Sequence, residues 1–158
     1  MSNLLNVHIG EVKTGREGDV LQALLGSCVG IGFLYKERGI FGLAHCLLSE
    51  SPDKNFAIGG RYVDQAIFSL LTLMKIEQNE VRNIHAVIAG GGNMTKSGDA
   101  DPKKLVGAIN SSFTKKQLRK RRIKILHEDF GGMLGRKIII DCAKGEYQIK
   151  HIPRLEVA

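Results

Sequence analysis

The 158-residue sequence has no apolar run near the roughly twenty residues that a membrane-spanning helix needs. Its first six residues show neither the basic segment nor the apolar segment of a secretion signal. The three cysteines, Cys28, Cys46 and Cys142, are an odd number without CxxC spacing, which argues against a disulfide framework and a common zinc module. We therefore expect one cytoplasmic domain over residues 1–158, with at least one free thiol.

Acidic residues are missing from residues 115–124, although this segment contains seven cations. The net charge of the chain is +7, so the segment accounts for all of it. No aromatic residue is interleaved with the cations, as a single-strand nucleic-acid binder would require for base stacking. A nucleic-acid module is therefore the weakest of our interpretations. The segment is typical of a solvated helix face, and it would suit an acidic protein surface equally well.

Hydrophobic periodicity predicts two main helices. One covers residues 61–77, and the second begins near Ser112 and contains the cationic segment. Residues 13–18 are polar and are predicted to be a connection. Short apolar runs predict strands over residues 4–9, 20–23, 28–35, 40–47, 84–89, 123–126, 137–141 and 147–151. We expect an α+β fold in layers, in which helices cover a mixed, largely antiparallel sheet.

Two motifs raise the question of a nucleotide or metal site. Residues 90–97 nearly match the phosphate-binding pattern G-x-x-x-x-G-K-[ST], but Thr95 stands where the second glycine is needed. A glycine loop at the end of a sheet is the simpler interpretation. The histidines and cysteines lack metal-ligand spacing, and the adjacent His45 and Cys46 point to opposite faces of a strand. We expect neither a metal nor an organic cofactor.

The hairpin of residues 28–47 contains a candidate nucleophile and base. If its loop has two residues, His45 lies opposite Gly30, and Cys28 lies diagonally across from His45 on the same face. A nearby imidazolium would then stabilise the Cys28 thiolate. Gly26 would let the chain turn so that backbone N–H groups could hold an oxyanion. The alternative is a buried free cysteine with an unrelated histidine.

Further glycines and a second cysteine lie in the same hairpin. Gly30 and Gly32 would leave space on both faces of the strand beside the nucleophile. Cys46 faces away from His45 and is predicted to belong to the core.

Several motifs together resemble a known family. In chain order they are Leu25-Gly26-Ser27-Cys28-Val29, Gly42-Leu43-Ala44-His45, Ala89-Gly90-Gly91-Gly92-Asn93-Met94, Glu128-Asp129-Phe130-Gly131-Gly132 and Gly135-Arg136-Lys137. From about residue 9 to residue 150 the chain resembles CheD, the chemoreceptor glutamine deamidases. The resemblance implies a layered α/β sandwich similar to the deamidating domain of cytotoxic necrotizing toxins. It also implies hydrolysis of selected glutamine amides, and of glutamyl methyl esters, on methyl-accepting chemotaxis receptors.

The resemblance also implies site residues and partners. Cys28 and His45 would be the catalytic pair, with Ser27 in a supporting role. The family's threonine six residues before the cysteine is Gln22 here, and its amide oxygen would accept the imidazole N–H as a third member. The implied partners are the cytoplasmic helices of the receptors and a CheC-type phosphatase that competes with them. If Gln22 does not fill this role, the alternative function is a non-catalytic adaptor that binds receptors or the phosphatase.

Overall fold

The computed structural model describes residues 2–92 and 102–153, with the backbone alone for residues 102–105. Within these residues the chain forms nine strands and two α-helices, numbered in chain order. They are β1 (Asn3–Asn6), β2 (Val12–Gly15), β3 (Asp19–Leu25), β4 (Val29–Tyr35), β5 (Ile40–Cys46), α1 (Val63–Leu73), β6 (His85–Gly90), α2 (Pro102–Lys120), β7 (Lys124–Phe130), β8 (Gly135–Asp141) and β9 (Glu146–Ile152).

The strands form two sheets. A five-stranded sheet has the order β2-β5-β4-β6-β7, and a four-stranded sheet has the order β1-β3-β8-β9. Each sheet has one parallel pair, β6 with β7 and β1 with β3, and its other pairs are antiparallel. The predicted α+β class with mixed, largely antiparallel pairing is confirmed. The division into two sheets depends on which distant strands pair, and local periodicity does not encode that.

The two sheets and the helices stack as three layers. One apolar core lies between the helices and the five-stranded sheet and contains Val29, Ile31 and Phe33 of β4. The other core lies between the two sheets and contains Leu34 of the same strand. Strand β4 is therefore buried on both faces, which explains why its sequence is a continuous apolar run instead of an alternating pattern.

Two segments differ from the sequence predictions. Residues 13–18 do not form only a connection, because Val12–Gly15 is the edge strand β2, paired with β5. Helix α2 begins at Pro102, so its predicted start near Ser112 is wrong. Proline is favoured in the first turn of a helix, where the N–H that it lacks would have no partner in the helix. The predicted helix over residues 61–77 is confirmed as α1.

The hairpin formed by β4 and β5 has the predicted register. Gly30 lies opposite His45, and Val29 lies opposite Cys46. The loop is longer than expected, because the paired strands end at Tyr35 and Ile40 and are joined by a short 3-10 turn closed by a left-handed Gly39. The same pairing is thus reached with a four-residue loop instead of two residues.

Candidate active site

Cys28 and His45 lie at the same end of the β4–β5 hairpin. Cys28 immediately precedes β4, in the bend of residues 26–28 that follows β3, while His45 is the penultimate residue of β5. Both are nearly inaccessible, with 6% of Cys28 and 4% of His45 exposed. The structure therefore places the predicted nucleophile and base at neighbouring positions of one sheet end.

The imidazole of His45 is fixed by a backbone group. Its Nδ1 lies 3.0 Å from the carbonyl oxygen of Val7, which follows β1. A carbonyl oxygen can only accept, so Nδ1 carries the proton and, in the neutral ring, Nε2 has a free lone pair. Among the described residues this Nε2 is the one buried side-chain nitrogen or oxygen without a hydrogen-bond partner. Nε2 of His45 is thus a basic atom that is free to accept a proton during a reaction.

Burial keeps both members of the pair neutral at rest. It raises the pKa of the Cys28 thiol to about 11. Burial also lowers the pKa of His45, against the opposing effect of its bond to Val7. Burial therefore disfavours the imidazolium-stabilised thiolate expected from the sequence. A thiol and a neutral imidazole require the proton to move from Sγ during the reaction instead of beforehand.

The loop of residues 90–92 holds the cysteine bend through backbone bonds. The N–H of Gly91 donates to the carbonyl of Cys28 at 3.0 Å, and the N–H of Gly92 donates to the carbonyl of Gly26 at 3.1 Å. Gly90 has φ +118, and a Cβ at this position would lie 2.0 Å from the Cys28 carbonyl oxygen. Only glycine fits there, so this loop shapes the nucleophile's backbone. Residues 93–97 of the near phosphate-binding motif lie outside the described residues.

Helix α2 packs against the loop of residues 90–92, which is called the glycine loop here. A Cβ on Gly107 would lie 2.6 Å from the carbonyl oxygen of Gly91, so helix and loop touch backbone to backbone. Ser111 donates from its hydroxyl to the carbonyl of Gly107 at 2.7 Å, and a Cβ on Gly91 would lie 2.5 Å from that hydroxyl. Helix and loop therefore fix each other's position.

An ion pair between a buried arginine and a half-buried aspartate joins the two sheets beside the glycine loop. Arg136 of β8 is 3% exposed, and its Nη2 lies 3.1 Å from Oδ1 of Asp129 in β7. Its Nη1 donates to the carbonyls of Gly131 and Leu134. The other Asp129 oxygen lies 2.7 Å from Nε2 of His151. Burial alone would raise the pKa of Asp129, but the bonds from His151 and Arg136 outweigh it and hold that pKa below its ordinary value.

This ion pair is connected to the nucleophile through the backbone. The N–H of Gly131 donates to the carbonyl of Gly90 at 3.1 Å, and a Cβ on Gly92 would lie 3.2 Å from Nη1 of Arg136. Arg136 thus orders the turn after β7, and this turn orders the loop that holds Cys28. No separate role was predicted for Arg136. It lies at alternate spacing with Ile138 and Ile140 on the buried face of β8, and a charge on such a face is the signal that could have indicated an ion pair.

The bend also offers backbone donors. Within the described part of the chain, the N–H groups of Ser27 and Cys28 have no acceptor, whereas the carbonyls of Gly26 and Cys28 are both used. Such unpaired donors beside a nucleophile are what an oxyanion requires. Ser27 is half-buried in the bend, and its hydroxyl forms no hydrogen bond with another described residue.

Gln22 does not reach His45. In β3 the residues Leu21 and Ala23 face the core between the sheets, so Gln22 faces outward. Its Nε2 donates to Oδ1 of Asn6 at 2.7 Å. The expected contact of its amide with the imidazole is therefore replaced by the Val7 carbonyl. The backbone carbonyl of Gln22 still contributes, because it accepts the N–H of Val7 at 2.8 Å.

Gly30 and Gly32 serve the packing of the two sheets. A Cβ on Gly30 would lie 2.8 Å from a methyl of Leu25, and a Cβ on Gly32 would lie 2.9 Å from methyls of Ile140 and Val87. The space that the sequence suggested beside the nucleophile is thus filled by side chains between the sheets. Cys46 is fully buried in the core under the helices, as predicted.

The described residues contain neither a candidate metal cluster nor a membrane-spanning helix. No three His, Cys, Asp or Glu side chains in them converge where a metal ion could bind. No helix among them is long and apolar enough to cross a membrane.

Comparison with known proteins agrees with this architecture. The family model described as CheD chemotactic sensory transduction matches residues 47–151. The "Probable chemoreceptor glutamine deamidase CheD 2" of Ruegeria sp. (strain TM1040) is 46% identical over 96% of this chain and 93% of its own. Proteins called "Probable chemoreceptor glutamine deamidase CheD" are 35% identical in Bdellovibrio bacteriovorus, over 94% of this chain and 95% of theirs, and 32% identical in Methanococcus vannielii, over 93% and 94%.

The fold and site define a class of three-layer α+β proteins in which a cysteine bend and a histidine lie at one end of a β-hairpin. Within that class, the chain belongs to the CheD family.

Proposed function

We propose that this chain is a cysteine-dependent glutamine deamidase that converts selected glutamines of methyl-accepting chemotaxis receptors to glutamate. The names of the relatives support the reaction and the substrate class. The observation that carries the assignment to these residues is the unpartnered Nε2 of His45, buried at the same sheet end as Cys28. A buried nitrogen without a partner is costly for stability, and such a group is expected where function requires it.

The reaction would begin at Cys28. Nε2 of His45 takes the proton from Sγ as the sulfur bonds to the side-chain carbonyl carbon of the glutamine. The N–H groups of Ser27 and Cys28 stabilise the negative oxygen of the tetrahedral intermediate. His45 then returns the proton to the amide nitrogen, the C–N bond breaks, and ammonia leaves behind a thioester.

Hydrolysis of the thioester completes the cycle. His45 takes a proton from water, the hydroxide oxygen bonds to the thioester carbon, and the C–S bond breaks to release glutamate and the Cys28 thiol. The sum is amide plus water giving carboxylic acid plus ammonia. A glutamyl methyl ester would follow the same steps with methanol as leaving group. The Val7 carbonyl keeps Nε2 directed towards the reacting atoms throughout.

The partners follow from the same proposal. The substrate is presented on a cytoplasmic helix of the receptor, which places this protein in the cytoplasm. A CheC-type phosphatase would compete with the receptor for the face around Cys28. The support for this competition is the resemblance of the motifs to the family.

The test is the intact mass of a receptor cytoplasmic fragment co-expressed with this protein. We expect a gain of about one dalton per converted amide with the wild type and none with Cys28→Ala or His45→Gln. Cys142→Ala removes another buried thiol, in the core between the sheets, and should leave the gain intact. If the fragment binds but its mass is unchanged with the wild type, the chain is an adaptor for that receptor.

A further inference from the structure

A groove separates the end of α2 from strand β7. It has a volume of about 430 Å³ and is lined by Arg119 and residues 123–128. Here it is called the basic groove. Leu126 lies in it with 46% of its surface exposed, so the groove combines charged walls with an apolar floor.

The charge of the basic groove is largely uncompensated. Arg119 of α2 and Lys124 of β7 line it and are exposed, and Lys116 and Lys120 are further exposed cations of α2. Among the described residues, the one carboxylate that forms an ion pair with the cations of residues 115–124 is Glu128, whose Oε1 lies 3.9 Å from Nζ of Lys115. A partner with several carboxylates would therefore gain attraction here that the chain itself does not supply.

The edge of β7 selects how a partner can bind. Strand β7 is the outermost strand of the five-stranded sheet, but its pairing with β6 is interrupted by a bulge between Ile125 and His127. A bulge and a lysine on an edge strand disfavour the addition of another strand. A partner would therefore bind to the side chains of this edge. Leu126, which lies in the bulge, is one of the exposed ones.

Aromatic stacking is not available in the basic groove. The ring of His127 lies edge-on to Tyr147 and its Nδ1 lies 3.1 Å from the Tyr147 hydroxyl. Phe130 is half-buried, with Nζ of Lys115 6.0 Å from its ring centre. An exposed leucine among cations favours an acidic polypeptide with an apolar residue over a nucleic acid.

Lys124, on one wall of the basic groove, lies at the opposite end of β7 from the candidate active site. Gly90 pairs with Phe130 beside the cysteine bend, whereas His85 pairs with Lys124 at the groove. Five residue steps along a strand span roughly 17 Å. On a substrate helix this distance corresponds to roughly eleven residues, or three turns.

We propose that the basic groove is a second binding site for the substrate, and that it takes an acidic stretch of the receptor helix about three turns from the glutamine that reaches Cys28. This inference rests on the proposed function. It makes the groove a determinant of which glutamines are chosen, because an amide without carboxylates at that spacing would lack the second contact.

The experiment compares two sets of charge reversals. The groove variant is Arg119→Glu and Lys124→Glu, and the matched control, with the same change of charge, is Lys36→Glu and Lys150→Glu on other exposed surfaces. Initial rates of deamidation are measured by mass on the receptor fragment at several concentrations of fragment and salt. We expect the groove variant to raise KM at least tenfold with kcat within twofold, and the control to change neither by more than twofold. The wild-type KM should rise with salt more steeply than that of the groove variant.

Binding separates the failure of the inference from the failure of the proposed function. Cys28→Ala proteins with and without the groove substitutions are titrated with the labelled fragment, so affinity is measured without turnover. Equal affinities, or equal loss in the groove and control variants, would overturn the inference even if deamidation occurs. If the wild type leaves the fragment mass unchanged, the proposed function is contradicted. The titration then still tests whether the basic groove binds the fragment. Tighter binding to a DNA or RNA duplex than to the fragment, lost in the groove variant, would make the groove a nucleic-acid site and overturn the inference.

Discussion

The buried Arg136 and the half-buried Asp129 form an ion pair that connects the two sheets at the turn supporting the cysteine bend. Replacing Arg136 with methionine leaves Oδ1 of Asp129 and the carbonyls of Gly131 and Leu134 without this donor. Asp129 is half-buried and keeps its bond to His151, so the main cost is that of the carbonyls left without a donor, about 1–3 kcal/mol. We expect Arg136→Met to lower the free energy of unfolding by this order, as measured by urea denaturation.

The conservative variant Arg136→Lys is the control for this prediction. A lysine keeps the charge but lacks the planar fork that reaches Asp129 and two carbonyls together, so we expect an intermediate loss of stability. If Arg136→Met unfolds at the same urea concentration as the wild type, the pair does not stabilise the fold.

The reactivity of Cys28 should depend on pH as that of a buried thiol that is protonated at rest. Because burial raises its pKa to about 11, the thiol is protonated at neutral pH in the free protein. We expect the rate of Cys28 alkylation by iodoacetamide, followed by peptide mass spectrometry, to rise from pH 7 to pH 10 without a plateau. His45→Gln should lower the rate near pH 7, because Nε2 no longer accepts the proton of Sγ, and should keep the rise towards pH 10. A plateau below pH 8 that His45→Gln abolishes would instead show a preformed thiolate–imidazolium pair.

The raised pKa of Cys28 also links stability to pH. The folded state favours the protonated thiol, so its contribution to stability is complete below the ordinary pKa of 9.0 and is lost as the pH rises to about 11.

Gly90→Ala should be among the most damaging substitutions in the chain. The added methyl would lie 2.0 Å from the Cys28 carbonyl oxygen, at a φ of +118 that alanine rarely adopts. We expect deamidation to fall at least a hundredfold because the bend that carries the nucleophile must move. Gly18→Ala is the control, since Gly18 also has positive φ, +99, but nothing lies within 4 Å of the added methyl. Its cost should be backbone strain of about 1 kcal/mol, with activity retained. Similar activity losses in both variants would refute the steric argument.

Gln22→Ala should have little effect on turnover. Its side chain faces outward to Asn6, and the imidazole is held by the Val7 carbonyl, which alanine at position 22 does not disturb. We expect kcat for the receptor fragment to stay within threefold of the wild type. A loss as large as that of His45→Gln would show that the Gln22 amide reaches the imidazole during the reaction.

The hairpin and its register were predictable from local pattern. The polar residues between the apolar runs of β4 and β5 centre the hairpin, and a loop of two or of four residues with this centre places His45 opposite Gly30. Helix α1 was predictable for the same reason. The start of α2 was not, because an Asp-Pro pair is as common in turns as at the beginning of helices.

The partner of His45 could not be predicted from residue types. Val7 acts through its backbone carbonyl, which every residue has, and its position depends on the parallel pairing of β1 with β3. No sequence pattern therefore indicates such a contact. The Gly-Gly-Gly motif was visible, but its role against the Cys28 carbonyl depends on a contact between positions sixty residues apart.

The cysteine bend is held by segments from distant parts of the chain. Residues 90–92 bond to it, the turn after β7 bonds to Gly90, and α2 supports Gly91. A nascent chain that has formed only the β4–β5 hairpin therefore contains Cys28 and His45 without the oriented bend. Competence to react should appear late in folding, when the C-terminal strands are in place, so that incompletely folded copies do not modify other proteins.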